Sequence, residues 1–293
     1  MSGTPIHIAL TFDDNFWAPA YATMRSVALA SERRNDLVFH LFFRCLTATH
    51  RTALDAVRTE FGVNLVDHDL TANTDFISFL AGMSFHPKLT NLVYARLMLH
   101  ELLPADIARV IYLDCDMMVR APIEALYDTD LQGNAIAAVL DPHRHRAMLG
   151  RDFRRNADLF DFRTPYFNAG MLLIDRKAYG DANLPERTRA YHEQGVLTRI
   201  QYDQAILNLV FKDNWLPLDF RWNLTNPQPA HENLEPKIVH YSGPHKPWSL
   251  FSSAAFARDY RHTMTNAYFY QFMRERWLRP LHAPFRKLFG GGR

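Results

Sequence analysis

Apolar runs at residues 6–12, 37–43 and 63–66 are separated by two stretches, 17–31 and 47–61, with helical spacing. No other feature constrains the chain as much. A parallel pair of strands needs a crossover of roughly a dozen residues or more, and a helix lying on the sheet face is the usual one. The alternation continues downstream. Residues 94–102 read as helical, and 109–113 (Arg-Val-Ile-Tyr-Leu) form a run of good strand formers. Further strands are expected at 135–140, 170–175 and 237–241, with two helical stretches between the last two. The expected fold class is α/β, with a doubly wound, mostly parallel central sheet.

The 293 residues suit one such domain, and with 48% hydrophobic residues it can bury a core without disulfide staples. Cys45 and Cys115 lie far apart in sequence and form no disulfide framework, which fits a reducing compartment. The start, MSGTPIHIAL, lacks the basic and apolar regions of a secretory signal, and no apolar run is long enough to cross a bilayer. The expected location is therefore cytoplasmic. A net charge of +2 argues against a nucleic-acid partner.

In open α/β sheets, ligands bind beyond the carboxyl ends of the strands. Three polar motifs fall at such ends: Asp13-Asp14-Asn15, Asp114-Cys115-Asp116 and His240-Tyr241-Ser242-Gly243. In extended chain, residues i and i+2 face the same side, so Asp114 and Asp116 can converge on one hard divalent cation. The same pair also reads as two solvated acids or as a helix cap. Phosphatases with a nucleophilic aspartate carry a similar Asp-x-Asp, but on the first strand and with Thr or Val two residues after the second Asp; here the motif lies mid-chain and that position is Met118. Residues 141–163 are rich in Arg and His and lack periodicity. They read as a long loop of the kind that closes over a ligand, and the cluster at 143–155 could meet an anionic acceptor.

Five motifs occur in a familiar order: Tyr94-Ala95-Arg96-Leu97, Tyr112-Leu113-Asp114-Cys115-Asp116, Phe167-Asn168-Ala169-Gly170, Tyr202-Asp203-Gln204, and His240-Tyr241-Ser242-Gly243 with Lys246-Pro247-Trp248. In these motifs the chain, over about residues 6–250, resembles the family 8 glycosyltransferases, particularly the bacterial lipopolysaccharide galactosyl- and glucosyltransferases. The resemblance implies a single Rossmann-like nucleotide-sugar-binding domain of GT-A type, spanning 1–250. It implies a retaining, metal-dependent transferase that moves galactose or glucose from a UDP-sugar to a saccharide acceptor, a lipopolysaccharide or other surface glycan. Asp114, Asp116 and His240 would hold Mn²⁺ or Mg²⁺. Lys246, with the backbone at Gly243, would meet the diphosphate. Asp13 and Asn15 would hold the nucleoside, and Phe16 stands where the family often stacks a Tyr on uracil. Arg96 would contact the donor, with Cys115 lying between the two metal acids. Asn168 and Asp141 would line the sugar, and Asp203 or the Gln204 carbonyl would face the reacting centre, unless the leaving phosphate itself assists attack on the same face. The alternatives are a non-catalytic nucleotide-sugar-binding protein and the aspartate-nucleophile phosphatase.

The C-terminal segment, 251–293, is distinct. From residue 271 to the end there are five Arg and one Lys against one Glu. Between 268 and 289, Phe269, Phe272, Trp277, Leu278, Leu281, Phe285, Leu288 and Phe289 alternate with Arg274, Arg276, Arg279, Arg286 and Lys287. Such interleaving suits attachment to an anionic membrane surface, each cation contributing on the order of 1 kcal/mol. Pro280 and Pro284 predict short helical pieces there.

Overall fold

The computed structural model describes residues 3–81, 91–142, 156–161, 163–200, 202–249 and 252–289. Strand β1 (Ile6–Asp13) leads through a 3-10 turn into α1 (Trp17–Ala30), followed by β2 (Leu37–Arg44), α2 (Ala48–Phe61), β3 (Asn64–Asp69) and α3 (Thr74–Leu80). Helix α2 starts at Thr47, whose hydroxyl accepts from the His50 N–H, and stops at Gly62 in the left-handed region (φ 73°). A 3-10 segment (Asn91–Met98) precedes α4 (Leu99–Leu102), β4 (Arg109–Leu113), β5 (Met117–Val119), α5 (Glu124–Tyr127) and β6 (Ile136–Leu140). Then come β7 (Phe167–Asp175), α6 (Arg176–Asp181), α7 (Leu184–Glu193), α8 (Tyr202–Phe211), β8 (Trp215–Pro217), β9 (Leu224–Thr225) and β10 (Ile238–His240). Helices α9 (Ala257–Met264) and α10 (Asn266–Phe289) close the described chain.

The central sheet has seven strands in the order β3-β2-β1-β4-β7-β6-β8. Six run in one direction, and β7 runs against both neighbours, β4 and β6. The mostly parallel expectation holds, with one reversed strand that periodicity does not reveal. Strand β1 divides its side chains between two cores. Ile6, Ile8, Leu10 and Phe12 pack with Val27 of α1 and Leu54 of α2 on one face; Ala9 joins the cluster under α8 on the other. Helices thus cover both faces, as a doubly wound sheet requires.

The structure moves the last expected strand. β10 is not in the central sheet. It pairs antiparallel with β5 and parallel with β9 in a second, three-stranded sheet. Its partners β5 and β9 are three and two residues long, too short for a periodicity to register.

The C-terminal segment also differs from expectation. A single helix, α10, continues through Pro280 and Pro284. Each proline removes one donor, and their spacing of four puts both losses on one helix face. Phe269 and Phe272, expected as membrane anchors, are buried with Trp17, Trp248 and Tyr260. The Trp17 indole N–H donates to Glu275 of α10 (2.9 Å). Trp277 and Leu278 are exposed. Of the expected loop at 141–163, residues 143–155 and 162 lie outside the described residues, and with them the basic cluster at 143–155.

Candidate functional site

Asp114 and Asp116 follow β4, and the second sheet brings His240 to them. His240 lies opposite Met117 in the β5–β10 ladder, and the Tyr241 N–H donates to the Asp116 carbonyl (3.0 Å). β7 comes from the opposite direction. Because it is antiparallel, its amino end, Asn168-Ala169-Gly170, arrives at the carboxyl ends of the parallel strands, where the Asp114 N–H donates to the Gly170 carbonyl (2.8 Å).

Each carboxylate is anchored at one oxygen and turns the other toward His240. Asp114 Oδ1 accepts from Arg96 (2.7 Å) and from the Tyr112 hydroxyl (3.0 Å), while Oδ2 lies 3.7 Å from His240 Nε2. Asp116 Oδ2 accepts from Lys246 Nζ (2.6 Å), and Oδ1 lies 3.3 Å from His240 Nε2. One ligand atom from each of the three residues falls within 4.8 Å of the others, close enough together to hold one metal ion. Gly170 makes this approach possible: a Cβ there would sit 2.3 Å from His240 Cε1 and 2.8 Å from Asp114 Oδ2. Burial works against the charge on Asp116, but Lys246 and His240 outweigh it and hold the carboxyl well below the usual range.

Arg96, buried on the 3-10 segment, bridges two acids. It meets Asp114 with one nitrogen and Asp203 Oδ2 with another (2.6 Å), and a third donates to the Ala169 carbonyl (2.7 Å). Burial disfavours its charge, but Asp114 and Asp203 more than compensate and raise its pKa. For Asp203 burial dominates over Arg96, and the pKa is raised. Gln204 follows Asp203 in the first turn of α8. Its Oε1 accepts from the Ala169 N–H (3.0 Å) and from Asn168 Nδ2 (3.2 Å), and its Nε2 donates to Asp141 Oδ2 (2.9 Å). Its carbonyl is therefore turned into the protein.

The remaining expected residues lie around this centre. Asp13 caps the turn after β1, accepting from the Asn15 N–H (2.9 Å), and Asn15 is exposed. Phe16 meets Trp248 edge-on, ring centroids 5.8 Å apart. The Cys115 side chain points into the core, its Sγ 3.5 Å from the Thr11 carbonyl, so only its backbone can face a ligand. Burial, with Asp114 and Asp116 nearby, pushes the thiol up. At Gly243 a Cβ would collide with the Asn226 amide at 1.9 Å. A cleft of about 1180 Å³ opens beside Asp141, lined also by Asn223, Phe220, Leu234, Pro244 and His245.

One buried residue in this centre has no sequence signal. Asn223 accepts from His240 Nδ1 (2.9 Å) and donates to Asn168 Oδ1 (2.9 Å). It sits in Arg221-Trp222-Asn223-Leu224, between short elements, and only the contact with His240 reveals it.

The mostly parallel sheet, with an Asp-x-Asp and a histidine converging beyond its strand ends, has the GT-A fold of glycosyltransferases. The chain belongs to glycosyl transferase family 8, whose profile matches residues 7–251. It is similar to general stress protein A of Bacillus subtilis (strain 168), 24% identical over 280 residues, covering 89% of this chain and 93% of that protein. Glycosyltransferase GlyF of Streptococcus pneumoniae serotype 4 is 27% identical over 84% of this chain, which spans only 58% of GlyF. Among solved structures, galactosyltransferase LgtC in complex with donor and acceptor sugar analogs superimposes with a TM-score of 0.73 at 26% identity, covering 88% of this chain and 95% of LgtC. Family membership sets the phosphatase alternative aside.

Proposed function

We propose that the chain is a retaining, metal-dependent hexosyltransferase that moves galactose or glucose from a UDP-sugar to a saccharide acceptor of a lipopolysaccharide or other surface glycan. Residues 1–250 would carry the transferase. The observation behind this reading is the convergence of Asp114, Asp116 and His240 within 4.8 Å, with Lys246 on the same acid. Two carboxylate oxygens and an imidazole nitrogen suit Mn²⁺, or Mg²⁺ with fewer nitrogen ligands. Such an ion, when bound, offsets the charge that builds on a departing diphosphate.

The chain's own residues supply the rest. Lys246 adds a second cation at the diphosphate. Asp13 and Asn15 hold the nucleoside, with Phe16 as the stacking surface. Asp141, oriented by Gln204 Nε2, and Asn168 meet sugar hydroxyls. Because Gln204 Oε1 already accepts two N–H groups, we read Gln204 as an orienting group rather than one that bonds to the anomeric carbon. Asp203, paired with Arg96, keeps a carboxyl group close to the reacting centre. The cleft beside Asp141 would take the acceptor.

Among the described residues, no helix is long and apolar enough to cross a membrane. We propose attachment to the cytoplasmic face of a membrane through the exposed end of α10, where Trp277 and Leu278 lie. A version ending at Arg276 keeps Phe272 and Glu275 but lacks Trp277 and Leu278, and should pellet less with anionic vesicles than the full chain. Equal pelleting rejects the anchor.

The central test is UDP release from a panel of UDP-hexoses, with and without chelator. Chelator-sensitive release with one hexose, and an α-linked product by NMR, supports the reading. UDP binding without release indicates a non-catalytic binding protein, and a β-linked product rejects retention.

A further inference from the structure

We infer that Asn223 is a positioning residue that fixes the metal-binding tautomer of His240 and ties it to the sugar side of the site. This rests on the metal reading above. Two backbone N–H groups, which can only donate, fix the orientation of the side-chain amides. The Gly170 N–H points at the Asn168 side chain (3.0 Å), so the atom there is Oδ1 and Nδ2 faces Gln204. The Ala169 N–H independently requires Gln204 to present Oε1, which agrees. Asn223 approaches the same Asn168 Oδ1, and must do so with its amide Nδ2. Its Oδ1 is then the atom facing His240 Nδ1 at 2.9 Å, so Nδ1 carries the proton. Nε2 is the nitrogen facing Asp114 and Asp116, and so the one placed to ligate an ion.

Metal-ligating histidines commonly donate their second N–H to an orienting acceptor. Here that acceptor is a neutral amide, itself fixed at its other end. Asn223, Asn168 and His240 are all buried, at 2%, 8% and 3% exposure, so water does not compete for these bonds. The second sheet sets the spacing: Thr225, two residues after Asn223, pairs with His240 across β9 and β10. The hydrogen-bonded path His240–Asn223–Asn168–Gln204–Asp141 therefore runs continuously from the metal side to the acid beside the cleft.

Two substitutions separate the two ends of Asn223. Asn223→Leu keeps the branching at Cγ but neither accepts from His240 nor donates to Asn168. Asn223→Asp still accepts from the Nδ1–H but sets a carboxylate oxygen against Asn168 Oδ1. The readout is Mn²⁺ affinity of the full chain, by calorimetry without donor or acceptor. Thermal unfolding in chelator shows whether each variant is folded. Asn223→Leu should lose about 10- to 100-fold in Mn²⁺ affinity. Asn223→Asp should bind Mn²⁺ at least as tightly as wild type, yet lose kcat with little change in donor KM. Long-range ¹H–¹⁵N spectra of metal-free wild type should show His240 protonated at Nδ1, a result that stands even if Asn223→Leu does not fold. Wild-type affinity in Asn223→Leu, equal losses in both variants, or an Nδ1 without a proton overturns the inference. A wild-type chain that binds no divalent cation overturns the metal reading and this inference with it. Metal binding without sugar transfer overturns only the transferase reading.

Discussion

Gly170→Ala probes the site through shape alone. Gly170 is buried where β7 passes behind the three converging side chains, and its φ is not in the left-handed region, so an alanine there costs nothing in backbone strain. The cost is steric. The new Cβ would lie 2.3 Å from His240 Cε1, 2.9 Å from His240 Nδ1 and 2.8 Å from Asp114 Oδ2. Carbon atoms in contact sit at about 3.5–4.0 Å, so His240 must retreat by roughly an ångström or β7 must shift. Overpacking of this kind costs about 1–3 kcal/mol. For a chain of this size that lowers Tm by very roughly 2–12 °C. Displacing two of three ligands should weaken Mn²⁺ binding by at least about tenfold, a loss comparable to those seen when a ligand's orienting partner is removed. Gly133→Ala is the control. Gly133 has φ 82° with nothing within 4 Å of the added Cβ, so the variant pays about 1 kcal/mol of backbone strain and leaves metal binding unchanged. Thermal unfolding in chelator measures the stability term, and calorimetric titration with Mn²⁺ measures the site. If Gly170→Ala binds Mn²⁺ with wild-type affinity, the three side chains do not form the metal site.

Three further outcomes are expected. Asp116→Asn should abolish chelator-sensitive UDP release and most Mn²⁺ binding while the chain stays folded; full activity in that variant would place the cation elsewhere. His40 forms a chain with His7 and His68 across β1, β2 and β3, at 3.0 Å each, and burial first, then His68 and His7, lower its pKa from 6.5 to about 3. A neutral, buried histidine contributes stability that is fully present above pH 6.5 and lost as pH falls toward 3, on the order of 2 kcal/mol by pH 5; denaturant titrations at pH 7 and 5 should show this loss, and His40→Leu should flatten it. Glu275→Gln weakens the acceptor shared by Trp17, Gln271 and His50, and should cost about 1 kcal/mol in denaturant with no change in Mn²⁺ affinity, because α10 docks away from the metal acids.

The sequence by itself determined the parallel half of the sheet and the family. Each of β1, β2 and β4 is a mostly apolar run, broken in β1 by His7 and Thr11 and in β2 by His40, and such a run, largely buried on both faces, is legible without any partner. The Asp114-Cys115-Asp116 spacing, and His240 near a strand end, follow from the two-residue period of extended chain. The family order of the five motifs then named the chemistry.

Tertiary structure alone decided how these pieces meet. The direction of β7 is not a property of its residues: Phe167–Asp175 is equally apolar either way, and only pairing with both β4 and β6 reverses it. That reversal puts Asn168 and Gly170 at the site. The second sheet, built from strands of two or three residues, was illegible because its hydrogen bonds lie between segments more than a hundred residues apart, Met117–Val119 and Ile238–His240. Arg96 reads as a lone cation until the fold sets Asp114 and Asp203 on either side of it. Phe269 and Phe272 likewise look like membrane anchors until the fold supplies Trp17 and Trp248 to bury them, since an apolar side chain carries no mark of which apolar surface it will leave water for.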